Sequence, residues 1–174
     1  MKREFAHVAV DVGAGDGRFA LETARAQPNT LAIAIDASTD RLVDGARSAL
    51  RGRMRNVLFV VASVEQLPAE LAALAAAATI HFPWGSLLRG LIRGDETILA
   101  PLARLIRAGG TLDLVVQTWD VALGGFERHR FVFLDRHVAS AAEVAATRSS
   151  WAKRLGIGRE RPAFVFRFEQ IRDH

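Results

Sequence analysis

The stretch FAHVAVDVGAGDG, residues 5–17, decides the fold prediction. Its first part, residues 5–12, is a short apolar run that is typical of a buried β-strand. Three glycines then alternate with Ala14 and Asp16, and glycine lets a backbone adopt positive φ and pass close to a ligand. We therefore predict a strand, a tight ligand-binding turn and a helix that begins at Arg18.

Strands and helices alternate along the rest of the chain. Apolar runs predict further strands at residues 31–36, 56–62, 78–82 and 111–117. Helical spacing predicts helices at residues 18–27, 38–50, 68–76 and 95–109. Alternation of this kind indicates an α/β fold, a mostly parallel sheet with helices on both faces. Weaker signals predict a strand at residues 131–134, a helix at 139–147 and a half-exposed antiparallel strand at 163–171.

The composition is that of a globular protein, and we expect residues 1–174 to form a single domain. The chain is 50% hydrophobic and 24% charged, and the absence of cysteine excludes disulfides and thiolate metal sites. No apolar run has the length of a membrane span, and no secretory signal begins the chain. We therefore expect a soluble cytoplasmic protein. The histidines lack metal-ligand spacing and are predicted to be structural or surface residues: His7, His81, His129, His137 and His174.

Basic residues are concentrated in two places. The net charge is +4, and 21 of the 23 basic residues are arginines. One cluster contains Arg47, Arg51, Arg53 and Arg55. The other contains Arg148, Lys153, Arg154, Arg159 and Arg161. An arginine excess is also typical of a GC-rich genome, but two separate clusters favour contact with a polyanion, because arginine is well shaped to bind phosphate.

The glycine turn differs from the dinucleotide-binding fingerprint G-x-G-x-x-G, whose third glycine would stand where this chain has Arg18. The observed G-x-G-x-G follows the acidic Asp11 and resembles motif I of the class I S-adenosylmethionine (SAM) methyltransferases, which have a Rossmann-like fold. In that family an acid at the end of the second strand binds the ribose, and Asp36 stands there. The alternative is a tight turn in another Rossmann-like protein. The resemblance implies SAM as the cofactor and these contacts: Asp11, Gly13, Gly15, Gly17, Asp36, Val64, Glu65, Ser86 and Ser149.

The motif after the fourth strand, residues 81–88 (HFPWGSLL), indicates the substrate. Methyltransferases that act on exocyclic amines carry Asn or Asp before the proline, but this chain has Phe82, so a ring nitrogen is the better target. Together with residues 56–62 and 149–155, Phe82-Pro83-Trp84-Gly85 resembles the aminoglycoside-resistance 16S rRNA methyltransferases of the KamB and NpmA type. Those enzymes methylate N1 of adenine-1408 in the 30S subunit.

The resemblance also implies how the target base is held. In that family the flipped adenine lies between two tryptophans, which match Trp84 and Trp151 here. Stacking contributes about 1–3 kcal/mol per base, and indole faces favour the cationic N1-methyladenine. Ser86 and Ser149 match small hydroxyl residues near the cofactor, and Ser86 is also a candidate catalytic residue. Trp119 has no match and is predicted to serve packing.

Basic residues that match rRNA-binding positions are Arg47, Arg51, Arg53, Lys153, Arg154, Arg159 and Arg161. The chain departs from the family in two places, since the N-terminal β-hairpin is missing or shortened and residues 119–140 lack most of an expected helix and strand. We expect a monomer. The alternatives are methylation of another RNA, such as tRNA, or of a planar small molecule, and a non-catalytic SAM- or RNA-binding homologue.

Overall fold

The computed structural model of the chain describes residues 5–154, 156–157 and 161–171. The strands are β1 (His7–Val12), β2 (Thr30–Asp36), β3 (Val57–Val61), β4 (Ala75–His81), β5 (Ile106–Val116), β6 (Phe131–Val138) and β7 (Phe164–Gln170). The helices are α1 (Arg18–Ala26), α2 (Thr39–Arg51), α3 (Gly85–Arg93), α4 (Glu96–Leu105), α5 (Leu123–Arg128), α6 (Ala141–Ala146) and α7 (Ser150–Arg154). Two 3-10 turns, Val64–Gln66 and Ala69–Leu71, connect β3 to β4.

Within the described residues, seven strands form one sheet in the order β3-β2-β1-β4-β5-β7-β6. The first five strands are parallel, and β7 is inserted antiparallel between β5 and β6. This confirms the predicted fold class. In register, Asp11 pairs with Thr79 and Asp36 pairs with Val61, so the carboxyl ends of β1 to β4 meet at one edge of the sheet.

Strand β2 shows why helices cover both faces. Successive side chains of a strand point to opposite faces. Ala32 and Ala34 pack with residues of α1 and α2, while Ile33 and Ile35 pack with residues of α3 and α4. Both sets are nearly fully buried, which is the pattern expected of a central parallel strand. The small alanines allow α1 and α2 to approach the sheet closely.

Two helix predictions are wrong. Residues 68–76 contain only the 3-10 turn Ala69–Leu71, and the alanine run from Ala75 enters β4. Alanine favours helices, but β4 pairs with a strand on each side, and this tertiary pairing overrides the local preference. The predicted helix 95–109 ends earlier, at Leu105, because β5 already begins at Ile106.

Helix α3 follows Trp84 directly and was not predicted. It packs tightly on α4, since a Cβ on Gly90 would lie 2.3 Å from the Ile98 side chain. Between β5 and β6 the structure contains the short helix α5, whose Phe126 stacks on Phe168 of β7 at 4.3 Å between ring centroids. Among the described residues, no helix is long and apolar enough to span a bilayer.

Candidate active site

The glycine loop, residues 13–17, turns the chain from β1 into α1. Gly13, Gly15 and Gly17 have φ angles of 73°, 59° and 71°, in the left-handed region that favours glycine. The amide groups of Gly13 and Ala14 both donate to the carbonyl of Ile35, at 2.8 and 2.9 Å. The loop is therefore held against the end of β2.

Asp36, the last residue of β2, holds the same loop through its carboxylate. The amide of Gly15 donates to Oδ2 at 2.8 Å, and the amide of Ser38 donates to Oδ1 at 2.9 Å. Each carboxylate oxygen has further lone-pair capacity, so the group can also accept hydrogen bonds from a ligand. The side chain is therefore placed to join the loop to a bound hydroxyl.

A cavity of about 520 Å³ opens at this carboxyl edge of the sheet. Its inner side is formed by the glycine loop, Asp11 and His81. Its outer side is formed by Trp84, the first turns of α2 and residues 147–150. Segments that are far apart in the sequence thus border one space, in the crevice where open α/β sheets bind ligands.

Asp11 and His81 form a buried polar pair on the inner side of the cavity. Burial raises the pKa of Asp11 to about 7, although the Thr79 hydroxyl, which donates to Oδ1 at 3.0 Å, opposes the shift. Burial also lowers the pKa of His81 to about 4. Nδ1 of His81 lies 3.8 Å from Oδ1 of Asp11 and has no hydrogen-bond partner among the described residues. Both side chains are therefore uncharged between about pH 4 and 7.

Trp84 lies at the mouth of the cavity. Trp84 is 65% exposed, which is unusual for a tryptophan. The preceding Phe82 is buried, has a φ of 49° and donates its amide to the carbonyl of Val115 at 2.7 Å. The turn is therefore anchored to β5, and it presents an aromatic face to solvent and to the cavity.

Residues 147–150 lie across the cavity from the sheet. The Arg148 guanidinium donates to the carboxylate of Glu22 in α1 at 3.0 Å. The Ser149 hydroxyl accepts a hydrogen bond from the amide of Ala152 at 3.1 Å and so caps α7. The Glu22–Arg148 ion pair therefore connects this segment to the helix that follows the glycine loop.

Comparison with known proteins identifies this arrangement. Residues 1–122 match the model of the family described as NpmA: 16S rRNA (adenine(1408)-N(1))-methyltransferase. A 16S rRNA (adenine(1408)-N(1))-methyltransferase from Escherichia coli is 30% identical over 193 residues, which cover 92% of this chain and 86% of the relative. The chain belongs to the NpmA family.

Solved structures support the assignment. The antibiotic-resistance methyltransferase Kmr superposes with a TM-score of 0.81 and 30% identity, covering 98% of this chain and 90% of that chain. The W203A mutant of a 16S rRNA (adenine(1408)-N(1))-methyltransferase from Catenulisporales acidiphilia, with cosubstrate SAM, shares the fold with a TM-score of 0.87. It is 24% identical and covers 98% and 88% of the two chains. The predicted resemblance to the KamB and NpmA type is thus confirmed.

The predicted cofactor residues fall into three groups in this NpmA-family chain. The cavity is lined by Asp11, Gly13, Gly15 and Ser149. Asp36 and the buried Gly17 lie directly behind the loop, where a Cβ on Gly17 would be 2.6 Å from the Phe59 ring. Val64 is 6% exposed and packs in the core, while Glu65 and Ser86 are exposed to solvent. These last three do not line the cavity.

The two predicted tryptophans are described to different extents. Trp84 lines the cavity. The backbone of Trp151 lies in α7, directly after the cavity-lining Ser150. Its side chain lies outside the described part of the structure. Trp119 packs edge-on against Phe164 at 5.1 Å between ring centroids, as expected of a packing residue.

The C-terminal basic residues border the cavity or the groove beside it. Arg154 lines the cavity, and it also lines a groove between α1 and α6–α7 with Lys153 and Arg161. Arg18 of α1 lines the same groove. Arg159 lies outside the described residues. The described members of this cluster thus lie on the outer side of the site or in the groove beside it.

The other basic cluster lies farther away. Helix α2 begins at the carboxyl edge of the sheet and runs back along it, so Arg47 and Arg51 lie progressively farther from the cavity. At a rise of 1.5 Å per residue, Arg51 is about 15 Å along the helix axis from Arg41. Arg53 follows the helix and is exposed. The structure therefore does not bring the two basic clusters together at the cavity.

Sequence reasoning missed several cavity residues, among them His81 and three residues of α2. His81 was predicted to be a structural or surface residue, but it lines the cavity as the last residue of β4. Arg41 lines the cavity together with Asp40 and Asp44. A signal for these three was available, because the first turns of the helix after Asp36 must lie at the same edge of the sheet.

Proposed function

We infer that this chain transfers a methyl group from SAM to N1 of adenine-1408 in the 16S rRNA of the 30S subunit, and that it thereby confers aminoglycoside resistance. Family membership and the resemblance to Kmr support the reaction. The observation that carries the proposal is the cavity itself, because the glycine loop and Trp84 border one space. We further propose a monomer that acts in the cytoplasm as one catalytic domain.

The residues of the inner side fit SAM. Three of the five loop positions have no side chain, so a ligand can approach the backbone closely there. We propose that Asp36 accepts hydrogen bonds from the ribose hydroxyls and that the loop and Asp11 hold the methionine end. The raised pKa of Asp11 fits this role, since a nearby positive charge would favour its ionised form.

The outer side fits an extruded purine. We propose that Trp84 and Trp151 clamp the target adenine, with Ser149 positioning the methyl donor or the loop that holds the base. Bound SAM supplies an electrophilic methyl group, and adenine N1 has its own lone pair, so no general base is required. The indole faces stabilise the positive charge that develops on the purine.

Basic side chains would hold the rRNA by its phosphates. We propose that Lys153, Arg154, Arg159 and Arg161 bind the strand next to the target base. Arg47, Arg51 and Arg53 would contact rRNA at the far end of α2. Contacts of this kind position a protein on RNA but carry little sequence information.

The test is the identity of the methyl acceptor. Labelled SAM is offered with the protein to 30S subunits, free 16S rRNA and tRNA side by side, followed by primer extension on the 16S rRNA. We expect label in the 30S subunit and a stop at adenine-1408. Read-through at that position, or preferential labelling of tRNA, would contradict the proposal.

A further inference from the structure

Arg41 covers one face of Trp84. The carbon at the centre of its guanidinium lies 5.0 Å from the centroid of the indole ring. The contact joins α2 to the turn before α3, so two elements at the mouth of the cavity meet through it. A guanidinium in this position is attracted by the ring quadrupole, and the attraction holds a long side chain in one place.

The contact with the indole face leaves the hydrogen-bonding groups of Arg41 available. The guanidinium is planar and its five N–H donors point outwards in the plane, so a group stacked on an aromatic ring still presents them to a ligand. Within the described residues, no carboxylate forms an ion pair with Arg41. The nearby Asp44 instead lies 3.8 Å from Arg47, farther along α2.

The charges around Arg41 make it distinctive. It is the single cation in the first two turns of α2, residues 39–46, and the acidic Asp40 and Asp44 line the cavity on either side of it. Two carboxylates repel an RNA backbone that approaches this part of the helix, except at Arg41 itself. Along this helix, a phosphate at the rim is therefore favoured at Arg41.

We propose that Arg41 binds a phosphate of the target nucleotide while its guanidinium stacks on Trp84. The assignment rests on the proposed function, which places the target base against that indole. A base enters the cavity, whereas its sugar and phosphate stay at the mouth, where Arg41 lies. Planar forked donors suit phosphate recognition, and arginine is the side chain best adapted to it.

A different role for Arg41 predicts the opposite result. If its guanidinium merely occupied the ring face that the base needs, removing it would strengthen RNA binding. If it were only a solvated surface charge, its loss would have the same small effect as the loss of any exposed arginine. The sign and the size of the change therefore decide between these roles.

The experiment measures binding of 30S subunits with S-adenosylhomocysteine in place of SAM, so that no methyl transfer occurs. We expect Arg41→Ala to weaken binding about ten-fold and to lower the salt slope by about one. Arg41→Lys should retain the slope but not the full affinity. The matched control is Arg25→Ala, which removes an exposed charge from the last turn of α1 and should change affinity less than two-fold.

A double-mutant cycle tests the stacked geometry. Trp84→Ala and Arg41→Ala should lose less affinity together than the sum of their separate losses, because each supports the other. Additive losses, unchanged binding or tighter binding by Arg41→Ala would overturn the proposal. A wild type that binds 30S subunits without methylating them contradicts the proposed function alone. A wild type that binds no RNA contradicts both.

Discussion

The two sides of the cavity are built differently. The inner wall, formed by the glycine loop, Asp11 and His81, comes from the ends of neighbouring strands. Asp36 lies behind it, and backbone amides hold the loop through hydrogen bonds of 2.8–2.9 Å to Asp36 and to the carbonyl of Ile35. The outer wall, formed by Trp84, Arg41, residues 147–150 and Arg154, comes from turns and from the ends of helices. Asp11 is 4% exposed, whereas Trp84 is 65% exposed. The sheet thus preorganises the inner wall, where we propose that the cofactor binds, and the outer wall stays open to solvent.

The largest effect should follow from breaking the inner wall at Asp36. Asp36→Ala removes the acceptor for the amides of Gly15 and Ser38 and the proposed contact with the ribose. Each hydrogen bond to a charged group contributes about 1.5–3 kcal/mol, so we expect SAM affinity to fall on the order of 1,000-fold. Isothermal titration calorimetry measures this.

The exposed Asp120 provides the control for that change. Asp120→Ala alters the net charge equally but lies outside the cavity, so its SAM affinity should stay within about two-fold of the wild type. A similar loss in both variants would show that charge, and not the geometry at the end of β2, determines cofactor binding.

The inner wall was largely predictable from the sequence, because its residues follow from local rules. A buried strand, a glycine turn and an acid at the end of the next strand must meet at one edge of a parallel sheet. The prediction of the glycine loop used that rule, and the resemblance to the class I methyltransferases implied the role of Asp36. The alanine run from Ala75 could not be placed in the same way, since its strand conformation depends on partners far along the chain.

The outer wall was less predictable for the same reason. Trp84 was found through a motif, but its contact with Arg41 joins residues that are 43 positions apart. The Glu22–Arg148 ion pair spans 126 positions. No local pattern in the sequence indicates such contacts. On the inner wall, His81 was not predicted to line the cavity, because a single histidine carries no spacing signal. Its position at the cavity becomes visible only in the folded sheet.

The second effect concerns the pH dependence of stability in the inner wall. Asp11 keeps its proton up to about pH 7 in the folded state, so its contribution to the free energy of unfolding falls as the pH rises from about 4 to 7. His81 stays neutral down to about pH 4, so its contribution rises between about pH 4 and 6.5. In the wild type these two contributions oppose each other.

Replacing either Asp11 or His81 should reveal the pH dependence of stability that the other residue contributes. As the pH rises from 4.5 to 6.5, the unfolding free energy of His81→Leu should fall by up to about 1.4 kcal/mol per pH unit relative to the wild type. That of Asp11→Asn should rise by a similar amount over the same range. Urea unfolding at several pH values measures both slopes. Parallel pH profiles for the wild type and both variants would refute the buried pair as described.

The third effect tests the outer wall at Trp84. Trp84→Ala should lower kcat/KM for 30S methylation by about 10- to 100-fold, because stacking contributes about 1–3 kcal/mol per base. SAM affinity should change less than two-fold, since the inner wall is intact. Trp119→Phe is the control, because Trp119 packs against Phe164 away from the cavity. Equal activity of wild type and Trp84→Ala would remove base stacking from the mechanism.

The smallest effect should come from the ion pair that connects the two walls. Glu22→Gln removes the charge that holds Arg148 at 3.0 Å, and both side chains are about half exposed. Exposed ion pairs contribute about 0.2–1 kcal/mol, so stability should fall by no more than that. Ser149 still caps α7 in this variant, so the segment next to the cavity keeps most of its structure. We therefore expect kcat/KM for 30S subunits to fall only two- to five-fold, with SAM affinity unchanged. Because the inner wall is built without this contact, a loss of SAM affinity equal to the loss of RNA methylation would mean that the two walls act as one unit.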